Sequence, residues 1–363
     1  MSENQTKTLK IAVIFGGCSD EHEVSRMSAV NVLNGLRADD YEIKVIGITK
    51  NGRWYLTEAS NEEIYDGSWE AREDNRQVVI PADPILHGIL VFDEKDHAVG
   101  EYIDCVFPVL HGDNGEDGTI QGLLTMAGIP YVGCGIKASA VSMDKTATKI
   151  IAGTTGVTQA RYAVVKKKDF ERDPAGETER AFKEVSDGSE TMFVKPSSAG
   201  SSVGVTKVTK KEELQPAIEN ALIYDDKALI EELIVGREIE IAVLGNEHPE
   251  HTAVGEILTA GVFYDYDSKY NNPESTTRIA DDLPEEVKAE VGNYAIKIFK
   301  ALDCRGLSRV DFFYDEKGRV VFNEINTMPG FTNISMYPQL WENAGLSQPE
   351  LLRRLIDLAL EEA

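Results

Sequence analysis

A chain of 363 residues, 42% hydrophobic and 27% charged, has ordinary globular composition and is long enough for two or three domains around a sizeable core. Its formal net charge of −25 argues against nucleic acid or an anionic membrane surface as partner, since both need clustered Lys and Arg. The four cysteines, Cys18, Cys105, Cys134 and Cys304, form no CxxC pair, the start MSENQTKTLK carries no signal-peptide h-region, and no apolar run approaches the roughly 18 residues of a membrane span. A protein of the reducing cytoplasm is the expectation.

The first apolar run, Leu9 to Phe15, reads as a buried strand that stops at Gly16-Gly17, after which Ser19 or Asp20 can cap a helix reaching about Leu36. The Gly-Gly turn lacks GxGxxG spacing and is weak evidence for a nucleotide. Glu21 and Glu23 at the helix start are favoured by its dipole in any case. Tyr41 to Thr49 gives a second strand, and Asn51-Gly52 turns the chain toward Arg53-Trp54-Tyr55-Leu56. Residues 57 to 78 are acidic and helix-friendly without a strong pattern. Tyr102 to Leu110 is another buried strand, running into the polar loop HGDNGEDGTIQG at 111–122. Thr119 is expected to cap the helix IQGLLTMAG, with a short strand at Ile129–Gly133. Strands alternating with helices predict a parallel, open sheet up to about residue 133, with ligands at the carboxyl ends of its strands, where Gly16, Glu21 and His111 fall. His111 reads equally well as a ligand-facing or a structural histidine.

From residue 134 the pattern changes. A helix holding Lys145 and Lys149 leads to the strands YAVVK and MFVKP, separated by a helix of mixed charge. Next comes KPSSAGSSVGV, residues 195–205, which is not a P-loop but offers N–H groups and hydroxyls able to wrap phosphates, with Lys195 and Lys145 as nearby charges. A mobile hairpin loop fits the same residues. The strand Ala228–Ile234 continues through Val235-Gly236-Arg237-Glu238 into IEIAVLG; the backbone of a strand between domains can read an adenine edge, and an acid can take ribose hydroxyls. Residues 256–283 form a long polar connection containing FYDYDSKY, whose aromatics argue for function over disorder. Pro284 opens a helix to about Leu302, and a final helix spans roughly Gln348 to Glu362.

The most informative stretch is Arg305 to Gly330. Its β-runs VDFFY and RVVFNEI, joined by Asp315-Glu316-Lys317-Gly318, predict a hairpin. Side-chain alternation puts Glu324 and Asn326 on one face, and a modest register choice sets Asp311 beside them, with Arg309 two residues before it. Two carboxylates and an amide oxygen suit a hard cation such as Mg²⁺. A surface hairpin with solvated charges is the competing reading, against which stands the cost of an acid in the apolar strand VVFNEIN.

Taken in order, GGCSDEHEVS, LHGDNGEDGTIQG, SMDK, VKPSSAGSSVG, EELIVGRE, YDYDSKY, GLSRVDFF and FNEINTMPGFT resemble the ATP-grasp ligases over nearly the whole chain, and among them the members that join two D-alanines. The resemblance implies an α/β fold of three α/β domains, an N-terminal parallel open sheet and two antiparallel-sheet domains enclosing ATP, here divided at residues 1–133, 134–233 and 234–363. It implies ATP and Mg²⁺ as cofactors, two ions of the latter with Mn²⁺ able to substitute, and a homodimer.

Carried over residue by residue, it assigns Lys145 and Lys195 to the ATP phosphates, and Glu231, Leu233 and Glu238 to adenine and ribose. It assigns Asp311, Glu324 and Asn326 to the metal, and Arg309 with the N–H of Gly330 to an oxyanion. Glu21 receives the first D-alanine ammonium beside Ser201 and Tyr270, Lys269 faces phosphate, and Ser335 and Met336 hold the second D-alanine. The implied reaction makes an acyl phosphate that a second D-alanine opens, for peptidoglycan precursor synthesis. Tyr270 resembles the residue of dipeptide-forming rather than depsipeptide-forming members. Residues 57–100 exceed the shortest members. A D-alanine–D-lactate or other carboxylate–amine ligase, or a non-catalytic nucleotide sensor, are the competing functions.

Overall fold

The run Ile11–Phe15 is completely buried, which a strand achieves only when neighbours pair both its edges and helices cover both its faces. It belongs to β1 (Lys10–Gly16), which pairs in parallel with β2 (Glu42–Ile48) and with the later strand β7 (Cys105–Val109). The computed structural model describes residues 8–198, 200, 203–258 and 276–361. Helix α1 (His22–Leu36) crosses from β1 to β2. Beyond β2 the chain doubles back at Asn51-Gly52, where Gly52 takes a φ of +82°, and the sheet grows by antiparallel pairing through β3 (Trp54–Leu56), β4 (Arg76–Val79), β5 (Gly88–Phe92) and β6 (Ala98–Tyr102). The order is β6-β5-β4-β3-β2-β1-β7, a three-stranded parallel core with an antiparallel extension.

Several local expectations are corrected. Residues 57–78 hold a short α-helix, α2 (Asn61–Asp66), nucleated by a reciprocal Ser60–Glu63 capping box, a 3-10 turn at Ser68–Ala71, and then β4. Neither Ser19 nor Asp20 caps α1, whose N-cap residue is Glu21; the Ser19 hydroxyl donates instead to the His111 carbonyl at 2.7 Å. Thr119 is the first residue of α3 (Thr119–Met126), with Gly118 at φ +93° as N-cap and no side-chain cap bond. The Ile129–Gly133 stretch contributes a single parallel bridge, Val106 to Tyr131, and no strand.

Helices α4 (Ile136–Met143) and α5 (Lys145–Gly153) lead to a four-stranded antiparallel sheet made by β8 (Tyr162–Lys166), β9 (Met192–Pro196), β10 (Thr206–Val208) and β11 (Lys227–Glu232), in the order β10-β9-β11-β8. Helices α6 (Lys167–Arg172), α7 (Pro174–Val185) and α8 (Leu214–Tyr224) accompany it. Val194, Ala228 and Ile230 point into a core with Ala181, Val185 and Ile218. Alternation sends Lys195, Leu229 and Glu231 to the opposite face.

A third sheet contains β12 (Gly236–Gly245), β13 (Glu250–His251), β14 (Gly255–Leu258), β15 (Thr276–Ile279), β16 (Gly306–Asp315) and β17 (Val320–Asn326), with β16 and β17 forming the expected hairpin. One face, with Ile239, Ile241, Val310 and Phe312, packs on α9 (Glu285–Ala301). The other face carries Ala242, Leu244 and Leu307 into the largest core, which it shares with α1, α10 (Met336–Asn343) and α11 (Gln348–Glu361). Leu351, Leu352, Leu355 and Ile356 of α11 are fully buried there beside Leu33 and Leu36 of α1. The last described helix is thus wedged between the first and third sheets.

Candidate active site

The hairpin register places Arg309 opposite Asn326 and Asp311 opposite Glu324, then shifts between Asp311 and Phe312. That one-residue irregularity leaves all four side chains on one face while the apolar residues beyond it keep theirs in the core. Arg309 donates two bonds to Asp311, Nε to Oδ1 at 2.8 Å and Nη2 to Oδ2 at 2.7 Å. Its Nε also lies 3.0 Å from Glu240 Oε2 on β12, the strand paired with β16. Burial pulls the guanidinium down, and Asp311 and Glu240 together hold it well above its ordinary value. Asn326 Nδ2 donates to Asp311 Oδ2 at 3.0 Å. Among the described residues no group of three or more His, Cys, Asp or Glu side chains is set to hold a metal alone. The hairpin's two carboxylates plus an amide oxygen fit a hard cation that takes its remaining ligands from phosphate and water.

Facing the hairpin is the N-terminal end of α5. Asp144 caps it, accepting from the N–H groups of Thr146 and Ala147 at 3.1 and 3.2 Å. The same carboxylate accepts from the Ser197 hydroxyl at 2.6 Å and pairs with Lys227, while Lys145 N–H donates to the Ser197 carbonyl at 2.8 Å. The beginning of the Ser- and Gly-rich loop is thereby fixed to the turn bearing Lys145. Lys145 Nζ lies 3.5 Å from Glu324 Oε2, and Lys195 Nζ lies 2.5 Å from Glu231 Oε2. Glu231 also receives Lys149 Nζ at 2.5 Å on its other oxygen. Burial raises this carboxyl, but the two lysines bring it down to about 2. Leu233 and Glu238, both half-buried, follow on the strap from β11 into β12.

The first sheet closes the third side. Glu21 stands at the start of α1, and an added Cβ at Gly200 would sit 3.4 Å from its Oε2, so the Ser- and Gly-rich loop reaches it. Glu116 accepts from Gly112 N–H at 2.8 Å and Met328 N–H at 3.4 Å. Burial, and next the nearby Glu21 charge, push its carboxyl up to about 8. The His111 ring spans Ser28 Oγ at 3.0 Å and the Met328 carbonyl at 3.1 Å. A carbonyl can only accept, so Nδ1 carries the proton, and Nε2 accepts from Ser28, whose oxygen in turn accepts from Phe331 N–H at 3.2 Å. Asn31 Nδ2 donates to the Phe331 carbonyl at 2.7 Å. Four residues of the first sheet's layer therefore hold the 328–331 segment that contains Gly330.

The described structure brings together Glu21, Lys145, Lys195, Glu231, Arg309, Asp311, Glu324, Asn326 and Gly330 around one cleft. Ser335 accepts from Thr332 N–H at 3.0 Å, and a Cβ added at Gly330 would meet its oxygen at 2.8 Å, placing Ser335 beside the Gly330 turn. Met336 is buried in the large core, its sulfur against Gly255. Ser201, Lys269 and Tyr270 lie outside the described residues. Sequence reading missed Glu116, Glu240 and Ser28, and gave Lys149 no role. Glu240 carried the signal used for Glu324, an acid within an apolar strand; the others have partners too distant in sequence for any local signal.

The family description "D-ala D-ala ligase N-terminus" matches residues 10–134, and "D-ala D-ala ligase C-terminus" matches residues 151–357. The D-alanine–D-alanine ligase of Acetivibrio thermocellus is 49% identical, covering 97% of this chain and 96% of its own, and that of a Thermoanaerobacter species is 48% identical at the same coverage. Among solved structures, the VanG D-Ala:D-Ser ligase of Enterococcus faecalis superposes with a TM-score of 0.86 at 38% identity, over 97% of this chain and all of that one. The D-alanine–D-alanine ligase of Coxiella burnetii gives 0.83 at 37%, over 98% and 94%. With both family halves matched in order and near half of all residues identical to whole relatives, the chain belongs to the D-alanine–D-alanine ligase family.

Proposed function

We propose that this chain is an ATP-dependent, ADP-forming ligase that joins two D-alanines to D-alanyl-D-alanine for peptidoglycan precursor synthesis. The observation that carries this reading is the cleft itself: a cation- and carboxylate-bearing hairpin faces two lysines on one side and a pair of carboxyl groups, Glu21 and Glu116, on the other. Phosphate chemistry and amino-group chemistry can therefore meet at Arg309. The carboxylate oxygen of the first D-alanine attacks the terminal phosphorus of ATP, ADP leaves, and an acyl phosphate remains. The amine of the second D-alanine then attacks that carbonyl carbon, loses a proton, and expels inorganic phosphate.

In this scheme Lys145 and Lys195 bind the phosphates with Lys269, while Leu233, Glu231 and Glu238 meet adenine and ribose. Asp311, Glu324 and Asn326 would hold Mg²⁺, as two ions replaceable by Mn²⁺, which when bound neutralises phosphate charge. Arg309 and the Gly330 N–H stabilise the oxyanion. Glu21, with Ser201 and Tyr270, holds the first ammonium, and Ser335 and Met336 hold the second D-alanine. Three domains divided at 1–133, 134–233 and 234–363, a cytoplasmic homodimer, and no nucleic-acid or membrane partner complete the proposal. No described helix is long and apolar enough to cross a membrane.

Acceptor choice separates this reading from ligation of D-lactate or another amine, and a relative named as a D-Ala:D-Ser ligase makes it the decisive question. The test supplies ATP, Mg²⁺, D-alanine and equimolar D-serine and D-lactate and resolves products by mass. D-Alanyl-D-alanine as the main product supports the proposal; a predominant mixed product, or no ATP turnover on adding D-alanine, refutes it.

A further inference from the structure

Lys149 has no part in the scheme above, yet among the described residues no other lysine is so deeply buried, with 1% of its surface exposed. Its Nζ lies 2.5 Å from Glu231 Oε1 and 5.3 Å from the centre of the Tyr162 ring. The other Glu231 oxygen is 2.5 Å from Lys195. Beyond Lys195 the signs continue to alternate, since the charge of Glu324 acts on Lys195 and Glu324 lies 3.5 Å from Lys145. The row runs Lys149, Glu231, Lys195, Glu324, Lys145, three cations against two anions.

Lys195 cannot neutralise Glu231 and a nucleotide phosphate in full at the same time. If it turns to a phosphate, Glu231 stays behind with 6% of its surface exposed, where a carboxylate without a cation is strongly disfavoured. We infer that Lys149 is the standing counter-charge of Glu231, a positioning residue that touches no substrate and releases Lys195 to the phosphates of ATP. The inference rests on the proposed placing of those phosphates at Lys195. The groups facing Glu231 are Lys149 from α5, Lys195 from β9 and the Tyr162 phenol from β8. Without Lys149, Glu231 would either retain Lys195 or take up a proton as Lys195 departs.

The experiment is calorimetric titration of ATP and of adenosine into wild type, Lys149→Met, Glu231→Gln and the double variant, each in two buffers of different ionisation enthalpy. Lys149→Met should weaken ATP on the order of 10- to 100-fold, leave adenosine nearly unaffected because it has no phosphate to draw Lys195 away, and add a proton uptake on ATP binding that wild type lacks. In the Glu231→Gln background, where residue 231 has no charge to compensate, the same substitution should change ATP affinity little. Equal losses for ATP and adenosine, or an undiminished loss in the Glu231→Gln background, would overturn the inference. Should Lys149→Met alone fail to show a cooperative thermal transition, the two Glu231→Gln proteins decide the matter. A Lys195→Ala variant with unchanged ATP affinity would instead remove the phosphates from Lys195, and the inference with them.

Discussion

Glu116 and Glu231 line the same cleft, and their carboxyls are driven in opposite directions, the first up to about 8 and the second down to about 2. Burial is the largest influence on both and acts the same way, favouring the neutral acid. The neighbours differ. Glu116 has the Glu21 carboxylate beside it, outweighing two peptide N–H donors and the weaker pull of Arg309, whereas Glu231 lies between two ammonium groups at 2.5 Å. One half of the site therefore gathers two carboxyls side by side, a setting that favours a bound cation such as an amino acid's ammonium. The other half is already compensated internally and has one positive charge to spare. The difference shows that depth does not set protonation in this cleft; the sign of the nearest charge does.

The largest effect that would sharpen this contrast is expected at Glu324, the hairpin carboxylate that faces the lysines. Glu324→Gln should reduce ligation to background with the thermal transition unmoved, because charge is lost while volume is kept; turnover at the wild-type rate with saturating Mg²⁺ and ATP would contradict it. Next comes Arg309→Met. It leaves Asp311 and Glu240, 4% and 2% exposed, without their shared guanidinium, and should cost about 3–5 kcal/mol in denaturant unfolding. A loss below about 1 kcal/mol would show that the pairing is replaced by water or protonation.

A smaller effect distinguishes the two glutamates by pH. Glu116 binds its proton more tightly folded than unfolded, so its contribution to stability is present below about pH 4.5 and is lost as pH rises from there through about 8. Glu231 is the reverse: its contribution is present above about pH 4.5 and is lost as pH falls toward 2. Unfolding free energy should thus decline on both flanks, and Glu116→Gln should flatten the neutral flank by roughly 2–4 kcal/mol while leaving the acid flank alone. An unaltered neutral slope in that variant would mean that Glu116 is ionised throughout. The smallest change is Ser28→Ala, which removes the acceptor of Phe331 N–H and the donor to His111. About 0.5–1.5 kcal/mol of stability should go, with kcat falling more than KM if the 328–331 segment positions the Gly330 donor.

The hairpin was legible because its signal is local: an acid in an apolar strand, a polar turn ending in Gly318 at φ +78°, and alternation that leaves little choice of register. Lys145 and Lys195 were readable as charges beside a loop able to wrap phosphates, to which the resemblance added ATP, and their convergence on Glu324 and Glu231 follows from two sheets facing each other. Glu116 was not, since the peptide it receives is 212 residues away at Met328, and Ser28 meets a partner 303 residues on. The helix start at Glu21 was misplaced for a related reason: Ser19 has the right chemistry for a cap, but the His111 carbonyl, 92 residues away, takes its hydroxyl. Residues 57–78 looked helical by composition, and Ser60 and Glu63 do nucleate a turn and a half; pairing of β4 with β3 then overrides propensity.

The wedging of α11 between α1 and the third sheet bears on how the chain is made. Synthesis is vectorial, so α1 and β7 emerge more than two hundred residues before the leucines that cover them. A ribosome-bound intermediate carries an open apolar flank on its first α/β layer for most of translation, a surface that chaperones bind and that invites aggregation if elongation stalls. Excising residues 10–134 as an independent module would reproduce that exposed flank permanently, and such a module would need Leu33 and Leu36 replaced by polar residues to stay dispersed.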